Sequence, residues 1–520
     1  MNQANASVTP RSSARQAWAE VLLIFVIFFL HAGWPAPEPN EPHYLGKAKH
    51  YWNPDWAADD EFFNSPHTHQ VFCTAFGRLS EWLSLAQFAW LGRLLTWALL
   101  AWSWRRLSVS IVERRWASVL SAAMFVCLHE RLHMAGEWVV GGFEAKGFAY
   151  VLVFLALEQI VRGRFNAAWL LLGAASSLHV LVGGWSTVAA GFAWLCSRGN
   201  RSQLAAMWPG LAGGFLLALP GVWPALALSR GASADAVLDA GVIYVFERLP
   251  HHLDPASFPG DFVTRHVLLL IGWLILCAAT PVSDGAKRLR WFVNGAVLIA
   301  AAGFLIRAVV WQPEWAAQLL RFYWFRLSDA MLPLGFSLTA TTYLIHVLRA
   351  RPGWGRAWLT VAVLISGFHV IDYGLQTQLT DRPRADKPGK TADYEAWLDV
   401  CRWIRENTPP DARFLTLRSA QTFKWYTGRA EVATWKDLPQ DARGIVGWRE
   451  RIRDLYETGD PDEPWYDSLA ERQWTDLVRL ARRYDAQYLV TRAEPRLAQP
   501  PVYQNNPAYR VYKFPDVESP

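Results

Sequence analysis

Cysteine is scarce and unpatterned in this chain. Its 520 residues hold five cysteines, with no CxxC pair and no spacing that would gather several around a metal. That excludes a zinc-ribbon scaffold and a disulfide-knit secreted module. Cys127, Cys196 and Cys277 fall inside apolar runs and read as small hydrophobic residues, which leaves Cys73 with Cys401 as the one disulfide pairing to consider. Charge is thin as well, at 18% of residues, and the net +6 is dispersed between apolar runs. No single basic face forms, which argues against nucleic acid as a partner. Nor is there an internal repeat of the kind that marks many transporters.

What the chain has in excess is apolar and aromatic: 52% hydrophobic residues and 30 tryptophans. This is the composition of a polytopic membrane protein with aromatic side chains at the water–lipid boundaries. Runs able to cross a hydrocarbon core of about 30 Å stand at 17–34, 84–104, 116–131, 147–161, 166–181, 183–197, 205–228, 264–283, 289–310, 327–348 and 356–376. So many follow the first that it reads as an uncleaved anchor and not as a signal peptide. The pair meeting at "HVLVGGW" is either two spans or one broken helix.

Charge arbitrates. Arg11 and Arg15 precede the first span, Arg105, Arg106, Arg114 and Arg115 follow the second, and Arg162 and Arg164 follow the fourth. Arg198 and Arg201, then Lys287, Arg288 and Arg290, then Arg349, Arg351 and Arg356 mark later alternate connections. Every second connection is basic, which the positive-inside rule assigns to the cytoplasm. The alternation requires two spans in 166–197, hence about eleven in all, with the N-terminus inside and the C-terminus outside.

The outward connections are long, acidic and aromatic, as functional loops often are. The first covers 35–83, the second reads "ERLHMAGEWVVGGFEAK", and later ones hold "YVFERLPHHLDPASFPGDF" and "WQPEWAAQLLRFYWFR". Past residue 376 the character changes to a polar linker and a soluble-looking tail. "YEAWLDVCRWIRENTPPDA" places Tyr394, Trp397, Leu398, Cys401 and Ile404 on one helical stripe ended by Pro409. "RFLTL", "EVATW", "AQYLVT" and "YRVYKF" predict short strands, and "TDLVRLARRYD" a helix. The organisation expected is a membrane domain over 1–376, with a large first outer loop, and an outer-face α/β domain over 377–520.

Glu41 lies a few residues beyond the first span, in "NEPHYLGK", with His43 and Tyr44 beside it. A shielded carboxylate there can serve as a general base or a metal ligand, and equally as a helix cap or a solvated acid. In the second loop, Glu144 and Lys146 stand at the mouth of the fourth span, where charge needs a partner or water. Glu144 can meet Glu41 around a divalent cation or sugar hydroxyl, or simply cap the following helix. Arg307, Arg321 and Arg326 lie near the outer boundary, and the guanidinium fork suits a lipid phosphate, with snorkelling as the plain alternative. Position favours Arg321 over Arg326.

An acid followed closely by a tyrosine just after an inside-to-outside first span resembles the first-loop motif of the GT-C superfamily of integral-membrane glycosyltransferases. "WIRENTPPDARFL" is similar to the start of the outer domain in many bacterial members, and the architecture agrees along the whole chain in outline. Asn40 stands where many members carry a second acid. The resemblance implies transfer of a sugar from a polyprenyl-phosphate donor to an acceptor hydroxyl at the outer face of a bacterial inner membrane, with Glu41 engaging the acceptor. The alternatives are a transporter or channel, and a scaffold of the same architecture that has lost activity. "HERLH" (His129 to His133) matches H-E-x-x-H as a string, but a zinc protease also needs a third ligand and none clearly follows.

Overall fold

In the computed structural model residues 13–112, 114–197, 203–391 and 393–515 are described; Arg11, Arg198 and Arg201 of the basic connections lie outside them. Each apolar run is a helix. Among the described residues six helices are long and apolar enough to cross a membrane: Ala14–Ala32, Leu204–Ala227, Gly260–Ala279, Asp284–Val309, Arg326–Ala350 and Pro352–Gln378. The chain is thus a multi-pass membrane protein. Leu85–Ile111, Ala117–Leu132, Ala145–Val161, Phe165–Leu178 and Val180–Cys196 complete the bundle as shorter or more charged helices. "HVLVGGW" makes a sharp break, with His179 as the sole residue between two helices.

Local chemistry starts and joins these helices. Ser84 and Gln87 form a reciprocal capping box at the head of Leu85–Ile111. Arg105 reaches Glu20 at 2.9 Å, and Arg106 reaches Glu158 at 2.7 Å. These pairs gather the basic connections after 111 and 161 at one end of the bundle, with the start of the first helix. Leu204–Ala227 contains Pro209, Pro220 and Pro224 yet packs tightly against Phe165–Leu178. Gly214 makes that possible: a Cβ there would stand 2.4 Å from the Trp169 carbonyl oxygen. Small residues permit such close approach where no aqueous hydrophobic force drives helices together.

At the opposite end the connections are ordered and helical. The first folds as Glu41–Trp52, Glu61–Asn64 and Gln70–Phe76. Against it packs a four-stranded sheet, β1 (Arg413–Leu415), β2 (Ala430–Glu431), β3 (Tyr488–Arg492) and β4 (Tyr509–Lys513), in the order β2-β1-β3-β4. β1 runs parallel to β2 and β3, while β3 and β4 are antiparallel. Alternation sends Leu415, Leu489 and Tyr512 to one face, with Trp448 and Leu477, and Phe414, Tyr488 and Val511 to the other, with Trp397 and Ile404. Of the predicted strand at "EVATW" only Glu431 belongs to a strand, as the end of β2, and Trp435 packs on Trp448. All five cysteines are free, so Cys73 and Cys401 form no disulfide; both are buried in apolar surroundings.

Ion pairs seat the sheet domain on the first connection. Lys424 lies fully among Asp60 (3.0 Å), Glu431 (3.6 Å) and Asp437 (2.6 Å), and Arg413 and Arg451 both hold Glu61. Coulombic attraction to the three acids outweighs burial and raises the Lys424 amine above its usual range. Substituting Gly214→Val should force the two helices apart and destabilise the protein by about 1–3 kcal/mol or more, read as a lowered midpoint of thermal unfolding in detergent.

Candidate functional site

Glu41 begins a helix, with Pro42 at its next position. Its carboxylate is fully buried and doubly engaged by Arg93, Nε to Oε1 at 2.7 Å and Nη2 to Oε2 at 2.5 Å. Backbone N–H groups of Glu38 and Phe143 donate to the same two oxygens at 2.8 Å each. The planar fork of arginine matches a carboxylate in this bidentate way. Both oxygens are therefore committed, which corrects the expectation that Glu41 serves as general base or metal ligand: it ties the first loop, the Leu85–Ile111 helix and the second loop together. Asp329 acts similarly, accepting from the N–H groups of Met134 (2.7 Å), Ala135 (2.9 Å) and Glu137 (3.3 Å).

Between these anchors the second loop is stretched over a cavity of about 170 Å³. His43 and Tyr44 come to it from the first loop, Glu137, Trp138, Glu144 and Lys146 from the second, and Arg248, Tyr323, Arg326 and Lys436 from more distant segments. Glu144 occupies the cap position of Ala145–Val161, but its side chain caps nothing. Instead Oε1 accepts from Asn40 at 3.1 Å, and Oε2 is buried with no hydrogen-bond partner. Lys146 sits at a helix N-terminus, where the helix dipole disfavours a cation. Its Nζ is held 3.6 Å from Glu137, 3.8 Å from Glu144 and 3.6 Å above the Trp138 ring. Arg326 Nε lies 2.7 Å from Glu137, and its guanidinium stacks 4.0 Å from the Tyr323 ring.

Lys436 descends from the sheet domain and donates to Asn40 Oδ1 at 2.6 Å. Burial, aided by the charges of Arg248 and Lys390, pushes its amine down to about 7. Burial likewise raises the Glu144 carboxyl above its usual range, against the pull of Lys146 and the Asn40 hydrogen bond. His43 is lowered to about 4 by burial, despite Asp437 at 3.4 Å. The cavity lining therefore holds four cations, Lys146, Arg248, Arg326 and Lys436, against two carboxylates, Glu137 and Glu144. It suits an anion presented together with a hydroxyl.

Of the residues singled out from sequence, His43, Tyr44, Glu144 and Lys146 line this cavity; Glu41, Arg307 and Arg321 do not. Arg307 turns away to Asp254 at 2.9 Å, and Arg321 ends the Pro313–Leu320 helix with a bond to Gln318 at 3.2 Å. The order favoured from sequence is reversed, because Tyr323 takes a left-handed turn (φ +53°) that brings Arg326 inward. A divalent cation between Glu41 and Glu144 does not fit the residues present. Glu41 has no oxygen to spare, and among the described residues no three His, Cys, Asp or Glu side chains are placed to hold one ion. "HERLH" disperses too: Glu130 accepts from Tyr373 at 2.7 Å, while His133 packs on Phe262. Sequence reasoning missed Lys436 and Arg248 altogether, since nothing local marks a residue that acts across the domain boundary. It ranked Arg326 below Arg321 and gave Glu137 no role.

Residues 395–455 match the family model described as "Domain of unknown function (DUF6798)". No curated protein matches the sequence. In structure the chain is similar to an oligosaccharyltransferase of Archaeoglobus fulgidus tethered with an acceptor peptide containing the NVT sequon. That match has a TM-score of 0.50 and 11% identity and covers 93% of this chain and 70% of that one. The archaeal oligosaccharyltransferase AglB from the same organism, in complex with an inhibitory peptide and a dolichol-phosphate, gives a TM-score of 0.44, 12% identity and coverage of 92% and 69%.

Removing one partner of a buried pair strands the other charge. Glu41→Gln should cost about 3–5 kcal/mol of stability, and joint replacement by Glu41→Met and Arg93→Met should cost less than the sum of the two single changes. A double-mutant cycle of thermal unfolding measures the difference.

Proposed function

We propose that the chain is a GT-C-type membrane glycosyltransferase that moves a sugar from a polyprenyl-phosphate donor to an acceptor hydroxyl. In this reading residues 1–376 form the membrane domain and 377–520 the extracytoplasmic domain. The chain crosses a bacterial inner membrane about eleven times with its N-terminus cytoplasmic, as the basic connections suggest. The likeness to the archaeal oligosaccharyltransferase supports the architecture; the chemistry rests on the cavity.

The observation behind this reading is Glu144 Oε2, buried, without a hydrogen-bond donor, and beside the cationic group of Lys146, Arg326 and Lys436. A carboxylate with a free lone pair and a raised pKa is fit to take a proton from an attacking hydroxyl. The phosphate leaving group gains negative charge as the anomeric C–O bond breaks, and the preorganised cations offset that charge. The electrons of the acceptor oxygen form the new glycosidic bond, its proton goes to Glu144, and the polyprenyl phosphate departs. Attack opposite the leaving group gives inversion. Tyr44 and His43 complete the wall: the hydroxyl of Tyr44 is 3.3 Å from His69 Nε2, which orients it.

Glu41 favours a second reading. The first-loop acid through which the family resemblance would engage the acceptor is here consumed by Arg93, as in a scaffold that keeps the binding cavity without transfer. Turnover separates the two. With labelled lipid-linked sugar and the protein in nanodiscs, Glu144→Gln should lower kcat by about 10²–10⁴-fold with little change in donor KM. Full activity in that variant removes Glu144 as base, and donor binding with no turnover in the unaltered protein favours the scaffold.

Lys436 adds a pH signature with a definite sign. An anionic donor prefers the protonated amine, so donor KM should be lowest below about pH 7 and rise as the pH is taken above it. Lys436→Arg, whose charge persists, should flatten that rise.

A further inference from the structure

A second and larger cavity, about 470 Å³, opens where the first loop, the head of the Leu85–Ile111 helix and the sheet domain meet. It shares no lining residue with the first. Its walls carry Trp56, Trp425 and Tyr426 together with Lys49, Arg405 and Arg429. Arg429 is the informative one. Its side chain is buried, 8% exposed, and its guanidinium bonds to neutral oxygens only: Thr408 Oγ1 at 3.2 Å and the carbonyls of Thr408 (2.8 Å), Arg405 (2.8 Å) and Thr427 (3.2 Å). No carboxylate hydrogen-bonds it; Asp411 attracts it from further off while the neighbouring Arg405 repels it, and a buried charge so weakly offset is costly. Among the described residues, Lys49 and Arg405 also pair with no carboxylate, Lys49 resting instead 4.9 Å from the Trp56 ring centre. Asp55 is the single acid lining the cavity.

Three cations facing one acid, between aromatic walls, define a ligand class. The cations call for a carboxylate or phosphate, and the aromatic faces for a flat apolar surface such as the C–H face of a sugar ring. We propose that this cavity is a binding site for an acidic saccharide. The charged group of the saccharide lies toward Lys49, Arg405 and Arg429, and its rings lie against Trp56 and Trp425. Tyr426 is a fixed wall, because its hydroxyl donates to Asp386 at 2.8 Å. Gly428 lets that wall close: a Cβ there would stand 2.9 Å from Trp56 Nε1. Binding at this site does not require the transfer reaction to be real.

The test uses the full chain in nanodiscs of zwitterionic lipid and measures binding of tetragalacturonate by calorimetry, with maltotetraose as the neutral counterpart. Tetragalacturonate should bind in a salt-dependent way, with maltotetraose at least about tenfold weaker. Lys49→Glu with Arg405→Glu, at one half-buried and one exposed position, should weaken the acidic ligand at least about tenfold without moving the unfolding midpoint. Arg326→Gln should leave its affinity unchanged. Equal affinity for the two saccharides, unchanged affinity in the double variant, or loss in Arg326→Gln alone would each overturn the proposal. So would an absence of tetragalacturonate binding, including the case in which anionic phosphatidylglycerol nanodiscs show the Lys49/Arg405-dependent interaction instead.

Discussion

The cavity exists because a carboxylate and a guanidinium have been taken fully out of water and given to each other. Glu41 and Arg93 come from the first loop and a bundle helix, and their pairing draws in the backbone of a third segment at Phe143. With the loop pinned there and again at Asp329, its middle has no freedom to collapse onto the helices beneath. Glu137, Trp138, Glu144 and Lys146 are consequently held at the rim of an open volume. Burying a charge is unfavourable unless every lone pair finds a donor, and at Glu41 four donors do so. Of the two carboxylates that line the cavity, the same criterion marks Glu144, whose Oε2 has no donor.

Much of the architecture was legible in the sequence, because membrane helices announce themselves by length and apolar composition. All eleven runs are helical, and the segment after them yields the helices and most strands its periodicity predicts. What failed there was the strand at "EVATW", of which only Glu431 belongs to a strand, while Trp435 packs across on Trp448. The site was legible only in part. Four of the residues singled out in the first two loops, His43, Tyr44, Glu144 and Lys146, do line it. Glu41 was misjudged for a physical reason: an acid near a membrane boundary has the same local sequence whether it faces water or a buried arginine, and Arg93 lies far along the chain in an apolar stretch. Lys436 was invisible because its role comes from domain docking.

Docking shapes both of the cavities described above. The ion pairs of Lys424 with Asp60 and of Arg413 and Arg451 with Glu61 fix the sheet domain on the first loop. One seam of that contact closes over the Glu144 cavity through Lys436, and another leaves open the volume around Arg429. Both cavity linings carry more cation than anion, which suits each to a negatively charged ligand.

The central claim is that a lipid-borne phosphate is held by Lys146, Arg326 and Lys436 next to the free oxygen of Glu144. A structure of the protein in nanodiscs with bound polyprenyl phosphate tests it most directly. The account predicts phosphate density within hydrogen-bonding reach of Arg326 and at least one of the two lysines. Density at Arg307 or Arg321 with the Glu144 cavity filled only by water would contradict it.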